Sequence, residues 1–240
     1  MKKSVFILFF ACIFFSSCDK DSIKYKGPDV INIALQERYE IDANSKEPIT
    51  YSSDNNLIVD IIGEGTILGK NIGKANVTLS SASDELTIPV VVNLYEEPTL
   101  DFYCRPSDIE KIYGEPKRKN DSIYIYGSGD DWYSFAVWEM DFFFQNNKYI
   151  EADLFIKKDL DTRVDEFLKE KYFFQGYLTD TVNGNKRYEI YFNEENAEDA
   201  TVMIGKIKDA GPYNDVCVFY TPYVHTRGVG YKDIITSRRR

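Results

Sequence analysis

Between residues 28 and 95, apolar and polar side chains alternate with a period of two, and turn-forming residues cut the alternation into short runs. Ile31, Ile33 and Leu35 share one face of the first run, and Tyr39 and Ile41 one face of the next. Ala75, Val77 and Leu79 repeat the pattern, as do Leu86, Ile88, Val90 and Val92. Successive side chains of a β-strand point to opposite faces, so a strand with one face in a core reads this way and a helix does not. The breaks fall at 42–45, 52–56, 69–73 and 80–84, which are rich in Gly, Asn, Asp and Ser. Those residues accept turn conformations. Several short strands in so little chain predict a β-sandwich. Pro89 lies inside the last run. Without an amide donor, it predicts an edge strand or a bulge at that point.

The turn residues of this stretch also carry a resemblance. Tyr51-Ser52-Ser53-Asp54-Asn55 resembles the W-S-S-x-N of bacterial Ig-like domains of group 2. Gly65-Thr66-Ile67-Leu68-Gly69 stands where that family has G-x-V-x-A, and Gly73-Lys74-Ala75-Asn76-Val77-Thr78 where it has G-x-A-x-I-T. Tyr replaces the usual Trp at 51, and Gly replaces Ala at 69. The resemblance implies an Ig-like sandwich over 28–95 that works as a spacer or adhesive stalk.

At the start of the chain, Met1-Lys2-Lys3 precedes an uninterrupted apolar run over 5–15. As a helix that run spans about 16 Å, half of a ~30 Å hydrocarbon core, which suits a signal-peptide h-region and not a membrane span. Phe15-Ser16-Ser17-Cys18 follows. The arrangement resembles a bacterial lipoprotein signal, with Phe where Leu is usual and Ser where Gly or Ala is usual. The resemblance implies a signal peptide over 1–17, lipidation of Cys18, and an outer-membrane protein held by its acyl chains. Asp19 and Asp21 resemble the surface-export signal of Bacteroidetes lipoproteins, so orientation toward the periplasm or the cell exterior stays open. Ordinary secretion with an incidental Cys is the alternative. A polar tether is expected over 18–27. Three D-[ST]-[AILV] triplets, centred on Ser22, Ser122 and Thr181, resemble Bacteroidetes O-glycosylation sites.

Beyond Glu96-Glu97-Pro98, which reads as a linker, aromatic residues become dense. Pro106-Ser107-Asp108 suits the first turn of a helix whose apolar stripe is Ile109, Ile112 and Tyr113, stopped by Gly114-Glu115-Pro116. Strands are expected over 122–126, 132–139, 141–144 and 149–156. A second helix opens near Asp161-Thr162, with Asp165 placed for a capping box. Val164, Phe167, Leu168 and Tyr172 form its buried face, and Gly176 ends it. Strands follow over 177–181, 186–192, 201–206 and 216–223, with an Asn183-Gly184 hairpin turn. The order helix, meander, helix, meander suggests a duplication and is similar to the β-lactamase-inhibitor-protein fold, shared by small outer-membrane assembly lipoproteins. The expected fold class is therefore multidomain. An all-β Ig-like sandwich over 28–95 is followed, over 96–240, by an α+β domain with two short helices on an antiparallel sheet.

Charge and motif content narrow the function. The chain carries −10 overall, and −12 from Cys18 onward because Lys2 and Lys3 are the only charges before it. Unaided nucleic-acid binding is disfavoured, since phosphates need cationic partners. His225 is the one histidine, and no G-x-S-x-G elbow, phosphate loop or C-x-x-C pair accompanies it. No catalytic residue, metal or cofactor is therefore expected. Asp130-Asp131, Glu139 with Asp141, and Glu194-Glu195 are the carboxylates a glycosidase would draw on, although a solvated turn is the commoner use of Asp130-Asp131. Cys104 and Cys217 are either a disulfide or two separate thiols. Arg238-Arg239-Arg240 reads as a frayed end. As a strand, 132–138 points Tyr133, Phe135 and Val137 one way and Trp132 and Trp138 the other. The two tryptophans then form an outward surface for a protein or glycan, unless the sheet is buried on both faces. The expected function is non-catalytic recognition of an envelope protein or glycan by a lipid-anchored protein. A glycan hydrolase and an envelope assembly factor are the alternatives.

Overall fold

The structure is a computed structural model and describes residues 22–127, 132–180, 186–211 and 213–224. Cys18, Asp130, Asp131, Thr181, Asn183, Gly184, His225 and residues 238–240 lie outside these residues, as does the signal segment.

The N-terminal part is built from β1 (Lys24–Tyr25), β2 (Ile31–Ala34), β3 (Arg38–Glu40), β4 (Ala43–Asn44), β5 (Thr50–Ser53), β6 (Val59–Ile61), β7 (Thr66–Gly69), β8 (Gly73–Ser80) and β9 (Glu85–Asn93). A four-stranded sheet in the order β2-β9-β8-β5 faces a three-stranded sheet in the order β3-β7-β6, and β1 pairs with β4. Ile31, Ile33, Val77, Leu79 and Val90 from the first sheet meet Val59 and Ile67 from the second in one core. The alternating residues thus point inward, as a sandwich requires. Leu35 departs from the pattern and joins the core of the C-terminal part. Gly65 has φ +81°, and a Cβ there would lie 3.2 Å from the Tyr51 hydroxyl. The residue at 65 therefore needs both the left-handed backbone and the missing side chain.

Two expectations are corrected in this part. Pro89 is neither on an edge strand nor at a bulge, because β9 is paired on both sides. Its partner Asn76 directs its backbone N–H and C=O away from β9, to Asp54, and the ladder with β2 starts only at Val90. The imide nitrogen therefore sits where no donor is required. The polar tether is shorter than 18–27. Ile23 donates its backbone N–H to Asp84 Oδ2 at 2.8 Å, Tyr25 pairs with Ala43, and Lys26 N–H reaches Asp42 O at 2.9 Å.

The C-terminal part runs α1 (Pro106–Tyr113), β10 (Arg118–Lys119), β11 (Ile123–Tyr126), β12 (Val137–Gln145), β13 (Lys148–Ile156), a 3-10 turn (Lys158–Leu160), α2 (Asp161–Lys171), β14 (Phe173–Asp180), β15 (Lys186–Phe192), β16 (Val202–Ala210) and β17 (Asp215–Pro222). Its strands form one antiparallel sheet in the order β10-β11-β12-β13-β17-β16-β15-β14. Each half is a helix followed by a four-stranded meander, and the halves meet where β13 pairs with β17. Both helices bury their apolar stripes in one core, Ile109 from α1 and Val164, Phe167 and Leu168 from α2, with Phe142, Leu154, Ile204 and Val218 of the sheet. The alternate residues Tyr188, Ile190, Met203, Cys217 and Phe219 are buried in a second cluster on the opposite face.

Several local expectations change here. Residues 132–136 are not strand, and β12 runs unbroken through Met140 and Asp141. Ser134 turns the chain: its Oγ accepts the Val137 N–H at 3.1 Å, and its own N–H reaches Val137 O at 2.8 Å, a side-chain-supported turn that competes with strand pairing. Ile112 is exposed. The second helix stops at Lys171, and Gly176 lies at an irregularity inside β14. Asp165 makes no capping box; it pairs with the buried Lys206, as does Asp161. Glu96-Glu97-Pro98 is not a free linker, and Pro98 is buried. Leu94 and Tyr95 are buried in the helix-side core, and the Tyr95 and Tyr220 hydroxyls are 2.9 Å apart. Glu97 accepts from Tyr220 at 3.2 Å and also from Tyr172 and Lys171.

The Phe219 ring lies over Gly205, where a Cβ would stand 1.9 Å from the ring. Gly205→Ala is expected to destabilise the fold by about 1–3 kcal/mol through overpacking, read as a lower urea midpoint. Phe219→Leu in the same chain should recover part of that loss.

Candidate recognition site

The aromatic stretch at 132–138 supplies a site, arranged differently from a single strand face. Trp132 and Phe135 leave the turn before β12 about half exposed, at 46% and 47%. Lys157, just past the end of β13, lies between them, with Nζ 4.3 Å from the Trp132 ring centroid and 4.0 Å from that of Phe135. An ammonium over aromatic faces is held by the ring quadrupoles and keeps both rings in place.

Trp138 does not share the exposed surface with Trp132. It is 6% exposed, packed on Phe155 at 5.4 Å and met edge-on by Tyr213 at 5.1 Å. The reason is the turn at Ser134, which breaks the two-residue alternation between the tryptophans. Phe155 and Lys157 are two residues apart, so β13 and its continuation connect the Trp138 stack to the Trp132–Lys157–Phe135 cluster. Tyr213, in the β16–β17 turn, is 62% exposed. Trp138 Nε1 is buried without a hydrogen-bond acceptor. An indole N–H left unpaired away from water costs free energy, since each buried donor ordinarily finds a partner. The strand ends flanking that turn carry Asp209, paired with Lys158 at 3.4 Å, and Asp215, whose Oδ1 accepts the Lys158 N–H at 3.3 Å.

Phe135 also lines a cavity of about 370 Å³ with Glu37, Glu96 and Tyr133, at the seam with the sandwich. Burial and the nearby Glu37 charge push the Glu96 carboxyl up, opposed by a hydrogen bond from Tyr133. A larger cavity of about 980 Å³ follows the seam between α2 and the β8–β9 end of the sandwich, lined by Lys74, Asn93, Arg163 and Phe167 among others. Charged, polar and apolar residues line it together, with Val91 and Val92 beside Glu166 and Glu170. The half-exposed rings of Trp132 and Phe135 about Lys157 form the more distinctive surface for recognition.

The carboxylates distribute unequally. Glu194 and Glu195 are exposed. Glu139 is held by Arg118 at 3.1 Å, while burial pushes its carboxyl up. Asp141, 6% exposed, has an Oδ1 without a partner. Burial, reinforced by Glu139 and opposed by Arg118, raises its carboxyl from 3.8 to about 7. Among the described residues, no group of three or more His, Cys, Asp or Glu is placed to hold a metal ion. Cys104 and Cys217 are not joined. Cys104 packs against the helix-side core and Cys217 belongs to the cluster on the opposite face, so the sheet lies between them. Burial, Asp101 and Asp108 push the Cys104 thiol up, away from a reactive thiolate. Ser22 and Ser122 are both exposed.

Sequence reasoning placed Trp132 and Trp138 here but missed Lys157 and Tyr213 and turned Phe135 inward. Tyr213 had a readable signal, an aromatic residue set among turn formers in Gly211-Pro212-Tyr213-Asn214-Asp215.

No protein-family model and no curated protein matches the chain. Among solved structures, the surface layer protein SbsC, domains 4–9, aligns over 87% of this chain and 27% of that one, at 13% identity and a TM-score of 0.27. This chain thus spans about a quarter of that structure's length. Human protocadherin-24 EC1-2 aligns over 85% of this chain and 98% of its own, at 11% identity and a TM-score of 0.27.

A carboxyl raised in the folded state favours the protonated fold. Its destabilising effect is absent below the unfolded value, near 3.8, and complete above about 7. Asp141→Asn is therefore expected to gain stability over the parent as pH rises from 4 to 8, by an amount on the order of a few kcal/mol. Urea midpoints of the two chains at pH 4.5 and pH 8 measure it; parallel pH profiles would contradict the raised carboxyl.

Proposed function

We propose that this chain is an envelope lipoprotein, anchored to the outer membrane through acyl groups on Cys18, whose Ig-like part of the bacterial group 2 kind holds a non-catalytic recognition part away from the membrane. The observation that carries the reading is the exposed cluster of Trp132, Phe135 and Lys157 on the C-terminal part. Exposed aromatic residues gathered on one patch mark recognition surfaces more than they mark chemistry.

The spacer role has geometric support. Ile23, five residues after Cys18, is fixed to Asp84 immediately before β9. That strand then runs nine residues, Glu85–Asn93, and delivers Leu94 and Tyr95 into the core of the C-terminal part. At about 3.4 Å per residue, the chain's entry point and the C-terminal part stand roughly 30 Å apart, at opposite ends of one strand. The alternation of helix and meander also agrees with the β-lactamase-inhibitor-like arrangement, a fold that fits recognition of a partner.

One observation favours a second reading. Asp141, raised to about 7, beside Glu139 held by Arg118, is the kind of split carboxylate pair a glycan hydrolase uses as acid and base. Asp141 lies within the sheet and not in a cleft, which leaves the recognition reading ahead.

Cys18→Ala is expected to move the protein from the membrane pellet to the soluble fraction, because two or three acyl chains supply nearly all of the attachment at about 0.8 kcal/mol per buried CH₂. Fractionation followed by immunoblotting measures it. A variant that stays in the pellet after a carbonate wash would sink the lipid-anchor reading.

A further inference from the structure

We infer that residues 225–240 dock on the face of the large sheet turned away from α1 and α2, and supply the outer layer of the C-terminal part. The burial of that face is the first observation. Tyr188, Ile190, Phe192, Met203, Cys217 and Phe219 are each between 0 and 4% exposed. Their cluster consists of residues of the sheet itself together with Ala197, Ala200 and Tyr223. Side chains on one face of a sheet stand side by side, so they cannot shut water away from their own outer ends. That takes a second layer, about 10 Å off. Both helices pack on the other face, and the sandwich strands close their own core. Among the described residues, no helix or strand outside the sheet belongs to this cluster.

The path of the chain points to the occupant. β17 ends at Pro222, and Tyr223 lies on this face, its ring centroid 4.4 Å from that of Phe192. The Tyr223 N–H is held by Thr201 O at 2.8 Å, so the chain leaves the sheet already on this side. Residues 225–240 follow Val224. Extended, they reach about 50 Å, against about 14 Å from β17 across to β14. Residues 128–131 and 181–185 are too few to cross the sheet and return. The composition of 225–240 agrees. Val229, Tyr231, Ile234 and Ile235 are apolar, and Arg227, Lys232 and Arg238–Arg240 against Asp233 give +4 in a chain of −10. On the same face, β12 and β13 place Glu139, Asp141 and Asp153 beside the apolar cluster, in register with Phe155 and Phe219. Apolar residues for the cluster and cations for the acidic strands next to it are what a cover of this face requires. A second copy of the chain would instead bring the same carboxylates toward one another.

The full chain, purified in detergent, is treated with trypsin in the absence of denaturant. Cleavage after Arg227 and Lys232, followed by mass spectrometry, is expected to run about a hundredfold slower than in a synthetic peptide of residues 220–240, because a docked segment is cut only when it opens. Cleavage at the rate of the peptide overturns the inference. Cys217 lies within the face and gives a second readout. Iodoacetamide labelling with peptide mapping reads it apart from Cys104. In the full chain Cys217 should stay unlabelled, and in a chain ending at Val224 it should label about tenfold faster or more. Ile234→Asp with Ile235→Asp keeps the length and changes whichever of the two neighbours meets the sheet; it should speed labelling in the same direction. Cys217 equally protected in the chain ending at Val224 overturns the inference, whether light scattering finds that chain a monomer or a dimer covering the face with a second copy. If circular dichroism shows the shortened chain unfolded, the trypsin rate and the double aspartate variant decide, and unchanged labelling in that variant overturns the inference.

Discussion

A single carboxylate pins the stretch between the two parts of the chain to the C-terminal part. Glu97 lies in the stretch that joins them and receives the Tyr172 and Tyr220 hydroxyls and the Lys171 ammonium. A carboxylate taken out of water is costly unless its lone pairs are filled, and here three donors from α2, its end and β17 fill them. Tyr220 in turn meets the Tyr95 hydroxyl, and burial drives the Tyr220 hydroxyl well above its ordinary value. It therefore remains a donor. With Leu94 and Tyr95 in the core on one side and Glu97 clamped on the other, the connection has little freedom to hinge.

The sandwich was legible because its sheets are buried on one face. Period-two alternation then states directly which residues are inside, and Ile31, Ile33, Val77 and Val90 are there. Legibility failed where backbone direction mattered more than side-chain pattern. Pro89 is tolerated in a doubly paired strand because its nitrogen falls just before the β2 ladder begins, a fact of register that composition does not carry. In the C-terminal part, helix stripes located both helices, whereas strand limits slipped because the sheet is buried on both faces. There polar and apolar residues no longer alternate, so β12 reads as two strands, over 132–139 and 141–144, parted at Met140.

The site was legible as composition and not as geometry. Two tryptophans within seven residues pointed to the right segment, but one serine hydroxyl bonded to the Val137 N–H was enough to reverse the face of Phe135 and bury Trp138. Lys157 comes from just past β13 and Tyr213 from the β16–β17 turn, and they reach this segment only through the pairings of β13 with β12 and β17. The raised carboxyl of Asp141 was equally invisible in advance, because it depends on burial within a sheet and not on neighbours along the chain.

The two rims of the large sheet are unlike. β10 is two residues long, Arg118 and Lys119, both exposed, whereas β14 runs for eight and exposes Phe173, Phe174 and Tyr177. Short charged borders resist strand addition, and long ones rich in exposed aromatic residues invite it. A sheet with one receptive border closes on a twin and then stops, since the pair has used the border that could accept a third. Self-association along this sheet therefore ends at a finite assembly and does not propagate into a fibre.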